Sequence, residues 1–151
     1  MSRPLLIFVD DSEADHLLIQ EALKALGSPV HSQHVLNAGH FLSALDSGTV
    51  TPDAGITDLH MPGPSGFDLM RLLRVRPAAR ALPQLVLTKS GTPGGRARAA
   101  DLGVAGFYVK PLSFSGLVDH LRDMIVSIQR WDGQGRDDPS RASGPPRSPG
   151  L

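Results

Sequence analysis

The chain has 151 residues, enough for one domain with a real core. Its 15 Lys and Arg balance 15 Asp and Glu, which argues against the clustered positive charge of a nucleic-acid footprint. It has no cysteine, which excludes disulfides, thiol catalysis and thiolate metal sites.

Residues 5–9 read LLIFV, the continuous apolar run of a strand buried on both faces. Asp10 and Asp11 follow at once, and the run is too short for a signal peptide or a membrane span. A soluble cytoplasmic protein without membrane or nucleic-acid partners is therefore expected. Ser12 is placed to cap a helix, with Glu13 and Asp15 at the positive end of its dipole and Gly27 at its stop. Ala14, Leu17, Leu18, Ala22, Ala25 and Leu26 form its predicted inner face. His31 to Leu36 is a polar strand suited to a sheet edge. Its His31 and His34, three apart, point to opposite faces and do not read as a ligand pair. Asn37 caps the next predicted helix, with Phe41, Leu42 and Leu45 inward.

Ala54 to Thr57 is the third strand, and its Ala54 and Gly55 predict thin packing. Phe67 to Arg76 is a helix with Leu69, Met70, Leu72 and Leu73 buried, ended by Pro77. Gln84 to Thr88 is the fourth strand. Thr92 and Pro93 read as the cap and first position of a helix to about Leu102. Gly94 and Gly95 in its first turns predict a mobile helix. Ala105 to Val109 is the fifth strand. Ser115 to Trp131 is the last helix, with Leu117, Leu121, Met124, Ile125 and Ile128 on one side and Trp131 as an amphipathic anchor. Beyond it, 11 of the 20 residues 132–151 are Gly, Pro or Ser, so a disordered tail follows a folded unit over residues 3–131.

Five βα units in series argue for a parallel sheet covered on both faces. Such sheets bind ligands beyond the carboxyl ends of their strands. Strand one ends in Asp10-Asp11, strand three in Asp58, strand four in Thr88 and strand five in Lys110-Pro111. Singly, each has a bland reading: a helix cap, a turn residue, an ordinary strand threonine, a solvated turn. Together they crowd three carboxylates at one edge, and a divalent cation, Lys110 or both must offset the repulsion. Hard oxygen ligands point to Mg2+. A carboxylate beside such a cation is suited to accept a phosphoryl group, with Lys110 and Thr88 as charge and hydroxyl donor.

VDD at 9–11, TDLHMPGPSG at 57–66, LTKS at 87–90 and FYVKP at 107–111 together resemble the receiver domain of two-component response regulators. The resemblance implies an α/β flavodoxin-like (βα)5 fold with strand order 2-1-3-4-5. It implies that Asp58 accepts phosphate from a histidine kinase in a phosphorelay. Asp11 and Asp58 would bind Mg2+ directly, Asp10 through water and His60 through its backbone carbonyl. Lys110 would pair with Asp58 and then with the phosphoryl group, while Thr88 and Phe107 act as the switch pair. DDSEAD at 10–15, KPLSFSGL at 110–117 and the long last helix are similar to single-domain regulators that partner bacterial phytochrome kinases, and imply a homodimer. Lys89 departs from the family, which has a small residue there, and bears on donor access. Two alternatives stand beside the phosphorylation switch. One is a constitutive interaction module that keeps the site unused. The other is an aspartate-dependent phosphatase, disfavoured because its second aspartate would stand two residues after the nucleophile behind the first strand; no enzyme is expected.

Overall fold

The computed structural model describes residues 3–27 and 29–131; the expected tail over 132–151 lies outside the described residues. The elements run β1 (Leu5–Val9), α1 (Glu13–Leu26), β2 (His31–Val35), α2 (Ala38–Asp46), β3 (Ala54–Thr57), α3 (Gly66–Arg74), β4 (Gln84–Thr88), α4 (Pro93–Asp101), β5 (Gly106–Val109) and α5 (Phe114–Arg130). All four strand pairings are parallel and the order is β2-β1-β3-β4-β5, as the resemblance implied. The polar β2 is an edge strand, which explains why it lacks the apolar run of its neighbours.

Each helix begins on a side chain that accepts a backbone N–H: Ser12, Asn37, Ser65, Thr92 and Ser113. Ser65 and Asp68 form a reciprocal capping box, which starts α3 abruptly after the proline turn. Gly27 stops α1 in the left-handed conformation, at φ 72°.

Strand alternation splits the core between the two faces of the sheet. Leu6, Phe8, Ile56, Leu85, Leu87 and Tyr108 pack against α1 and α5. Ile7 and Val9 face α2 and α3 through Phe41, Leu69 and Leu73. Val86 and Phe107 face α3 and α4 through Phe67, Met70 and Ala99. The thin packing expected at Gly55 is made up by Phe41, whose ring lies 3.3 Å from where a Cβ would stand. Trp131 packs against the first of these clusters and its Nε1–H donates to the Ala81 carbonyl at 2.9 Å, which fits an anchor.

Two helical faces differ from the expectation. Leu17 and Leu18 are 63% and 50% exposed, and Ala14 and Ala25 also face solvent. The buried stripe of α1 is His16, Ile19 and Ala22, with Leu23 and Leu26 partly covered. A buried histidine is invisible to apolar periodicity, so the predicted face was rotated by a residue. Leu72 of α3 is exposed for a related reason: Phe67, Met70 and Leu73 already occupy the inward stripe.

His34 lies half-buried on β2, its ring stacked on Phe8 with centroids 5.1 Å apart. Burial, and then the adjoining His16, push it down from 6.5 to about 4. Between those values the unfolded chain takes up a proton that the folded chain refuses. The stability held by this group is thus complete above pH 6.5 and is lost as pH falls towards 4. In thermal melts over that window, His34→Gln should flatten the decline; an unchanged decline would assign it to another group.

Glycines in the first turns of α3 and α4 give a contrast. A Cβ at Gly66 would lie 2.3 Å from the Asp58 carbonyl oxygen and 2.8 Å from Leu59 Cα, so α3 starts against the Asp58 loop only because residue 66 has no side chain. A Cβ at Gly94 meets nothing within 4 Å. Gly66→Ala should destabilise by roughly 1–3 kcal/mol, and Gly94→Ala should stabilise by up to about 1 kcal/mol. Denaturant unfolding of the two variants reads both signs.

Candidate functional site

The hydrogen-bond ladder continues one step past the strand ends and fixes where the polar residues stand. Asp10 N–H donates to Val35 O at 3.1 Å, and Asp58 N–H to Val9 O at 2.9 Å. Lys110 N–H donates to Thr88 O at 2.7 Å. Adjacent parallel strands in register therefore present Asp10, Asp58, Thr88 and Lys110 at one edge.

The carboxylates of Asp10, Asp11 and Asp58 offer oxygens that all lie within 4.8 Å of one another. Lys110 Nζ reaches into the group: 2.6 Å to Asp10 Oδ2, 2.6 Å to Asp15 Oδ2 and 3.2 Å to Asp58 Oδ2. The second oxygen of Asp10 accepts from Ser12 N–H at 2.9 Å, and Asp58 Oδ1 faces His60 N–H at 3.4 Å. Asp11 is exposed, whereas Asp10, Asp58 and Thr88 are buried.

Burial pushes the Asp10 carboxyl above its ordinary value, with the Asp58 charge adding to the rise; bonds from Lys110 and Ser12 work against both. For Lys110, burial favours the neutral amine, but hydrogen bonds to Asp10 and Asp15, and the charges of Asp10 and Asp58, overcome it. Its pKa is raised and the side chain stays an ammonium. One ammonium among four carboxylates leaves an excess of negative charge, which a hard divalent cation is suited to neutralise.

Asp10, Asp11, Asp58 and Lys110 thus come together as the sequence predicted. Thr88 stands at the end of the neighbouring strand, with its Oγ1 accepting from Ser90 N–H at 3.3 Å. His60 is exposed and meets the group through its backbone. Phe107 already lies inward and fully buried, with the Arg96 guanidinium 4.6 Å from its ring centroid. Lys89 is exposed beside Thr88. Asp15, which its position predicts as a dipole residue, also shares Lys110 with Asp10. Its signal was present: a carboxylate in the first turn of a helix starting at this edge faces back over the strand ends.

Three comparisons bear on the assignment. A family model described as the response regulator receiver domain matches residues 6–122. The sensory/regulatory protein RpfC of Xanthomonas campestris pv. campestris is 34% identical over 127 residues, which cover 83% of this chain. The chain spans only 17% of RpfC. Among solved structures, the phosphorylated cyanobacterial phytochrome response regulator RcpA superposes with a TM-score of 0.77 at 22% identity, over 85% of this chain and 96% of that one. The Mn2+-bound form of response regulator Rcp1 gives 0.69 at 21% identity, over 80% and 91%. The ordered motifs, the strand order and the acidic edge all agree with the matched model, and the chain belongs to the receiver domain family of two-component response regulators.

Proposed function

We propose that this receiver accepts a phosphoryl group on Asp58 from the phosphohistidine of a sensor histidine kinase, and that the modified chain binds its partners differently. The observation that carries this reading is Asp58 itself: a buried carboxylate at a strand end, 3.2 Å from an ammonium and beside two further carboxylates. Receiver domains are signalling modules rather than classical enzymes, so a single modification and not turnover is the expected chemistry.

The residues fit Mg2+. Asp11 and Asp58 would ligate it directly, Asp10 through water and His60 through its backbone carbonyl. When bound, the ion offsets the charge of the carboxylates and of the incoming phosphoryl oxygens. The rest falls to this chain. An Asp58 carboxylate oxygen forms the new O–P bond as the N–P bond of the phosphohistidine breaks, and the departing imidazole takes up a proton from solvent. Little covalent work is left to the protein beyond positioning and charge. Lys110, already an ammonium, holds a phosphoryl oxygen. Thr88 exchanges its long bond from Ser90 N–H for one donated by its hydroxyl to another phosphoryl oxygen.

The phosphoryl group adds charge at a site already rich in it, so the local response is the switch. Phe107 and Thr88 lie on adjoining strands, and Phe107 packs on Ala99 of α4. The readout face is therefore α4, β5 and α5. A bacterial phytochrome kinase as donor, homodimerisation through α5, a cytoplasmic setting and a folded unit bounded near residues 3 and 131 complete the reading. The likeness to RcpA supports the first of these.

Intact mass after incubation with Mg2+ and a small-molecule phosphodonor tests the core of it. One phosphoryl group should add to the wild-type chain, dependent on metal and absent from Asp58→Ala. No addition from either the small donor or a phosphorylated kinase would leave the constitutive interaction module. The switch has its own check. Light scattering of the phosphorylated and unmodified chains should differ in self-association, or titration with a partner should differ in affinity. Identity in both would sink it.

A further inference from the structure

The inner stripe of α1 contains a residue that packing alone would not choose. His16 is only 4% exposed, on a helix pressed against an apolar sheet face. Its Nε2 stands 2.8 Å from the Asp10 carbonyl oxygen and 3.1 Å from the Val35 carbonyl oxygen. Both are acceptors only, so Nε2 carries the proton. In the neutral ring Nδ1 is then an acceptor, and it lies 2.9 Å from His34 Nδ1, which must donate. His34 Nε2 in turn accepts from the Ser32 hydroxyl at 3.1 Å. The stack on Phe8 holds the His34 ring in the plane this requires. Hydrogen bonds thus run in one direction, from Ser32 through His34 and His16 to Asp10, and each fixes the tautomer of the next ring.

Asp10 is held at every polar atom. Its N–H donates to Val35 O, its carbonyl accepts from His16, and its two carboxylate oxygens accept from Ser12 N–H and Lys110. The carbonyl is the point where the strand ladder ends and the chain turns into α1. The orientation of that peptide sets the directions in which Asp10 and Asp11 project.

We propose that His16 is a positioning residue for the acidic loop: its Nε2–H clamps the Asp10 carbonyl to β2 and so aims Asp10 and Asp11 at the metal position, with His34 setting its tautomer. This rests on the metal reading given above. It assigns to His16 and His34 a role outside the His31 and His34 spacing that the sequence presents. Groups that orient metal ligands from behind typically change affinity by about 10–100-fold when removed.

The test uses the full-length chain, Mn2+ as the probe ion, and two readouts: equilibrium Mn2+ binding and the hydrogen-exchange rate of the Ser12 amide. His16→Leu removes the donor. His16→Gln keeps an amide donor of similar reach. His34→Leu leaves His16 in place without its tautomer partner. His16→Leu should bind Mn2+ about 10-fold more weakly or worse. Its Ser12 amide should exchange faster while the amides of α5 keep their rates. His16→Gln should recover most of the affinity, and His34→Leu should fall between the two. A folded His16→Leu with wild-type affinity and wild-type Ser12 exchange overturns the proposal. Should His16→Leu fail to fold, a loss of Mn2+ affinity in His34→Leu, with retention in His16→Gln, supports it, and wild-type affinity in His34→Leu overturns it. If the wild-type chain takes up no Mn2+, the metal reading fails. Ser12 exchange then decides the role of His16 alone: unchanged rates in the variants overturn it.

Discussion

Everything at the working edge of this molecule turns on one ammonium. Lys110 Nζ lies within hydrogen-bonding distance of Asp10, Asp15 and Asp58, carboxylates that would otherwise repel one another in a half-dry site. Burying charge is costly unless it is paired and hydrogen-bonded, and breaking a buried pair leaves the remaining charges uncompensated. The lysine must therefore arrive at one point in space from a residue 100 positions away from Asp10. Only a sheet that brings the ends of β1, β3 and β5 to one edge can do this.

The parallel ladder supplies that edge, and the core supplies its rigidity. Leu6 and Phe8 pack one way and Ile7 and Val9 the other, so β1 is fixed from both sides before its chain emerges at Asp10. Gly66 lets α3 close on the loop after Asp58 at a distance that a methyl group would forbid. One lysine among four carboxylates leaves the negative charge incompletely offset, which is what a cation or an incoming group with bound metal can exploit. On the α3 and α4 side of the sheet, Phe107 of β5 packs in one cluster with Ala99 of α4, under the guanidinium of Arg96.

Much of this was legible in the sequence because it depends on local rules. Continuous apolar runs gave the buried strands, small hydroxyl and amide side chains gave the caps, and the residues just after each strand gave the contents of the edge. Apolar periodicity failed where a polar residue was buried. His16 displaces the expected inner face of α1 and leaves Leu17 and Leu18 in solvent, and Asp15, at the helix dipole by its position, also shares Lys110.

The sequence by itself determined the alternation of strands and helices, the set Asp10, Asp11, Asp58, Thr88 and Lys110, and through them the family. Those follow from the spacing of neighbours along the chain. The tertiary structure alone decided which carboxylates share the lysine, that Phe107 lies inward, and that His16, bonded to the Asp10 carbonyl, meets His34 from 18 residues away. Such contacts depend on which way each helix is rotated against the sheet. That rotation is set by the total burial and hydrogen bonding of both surfaces, which no stretch of sequence states on its own.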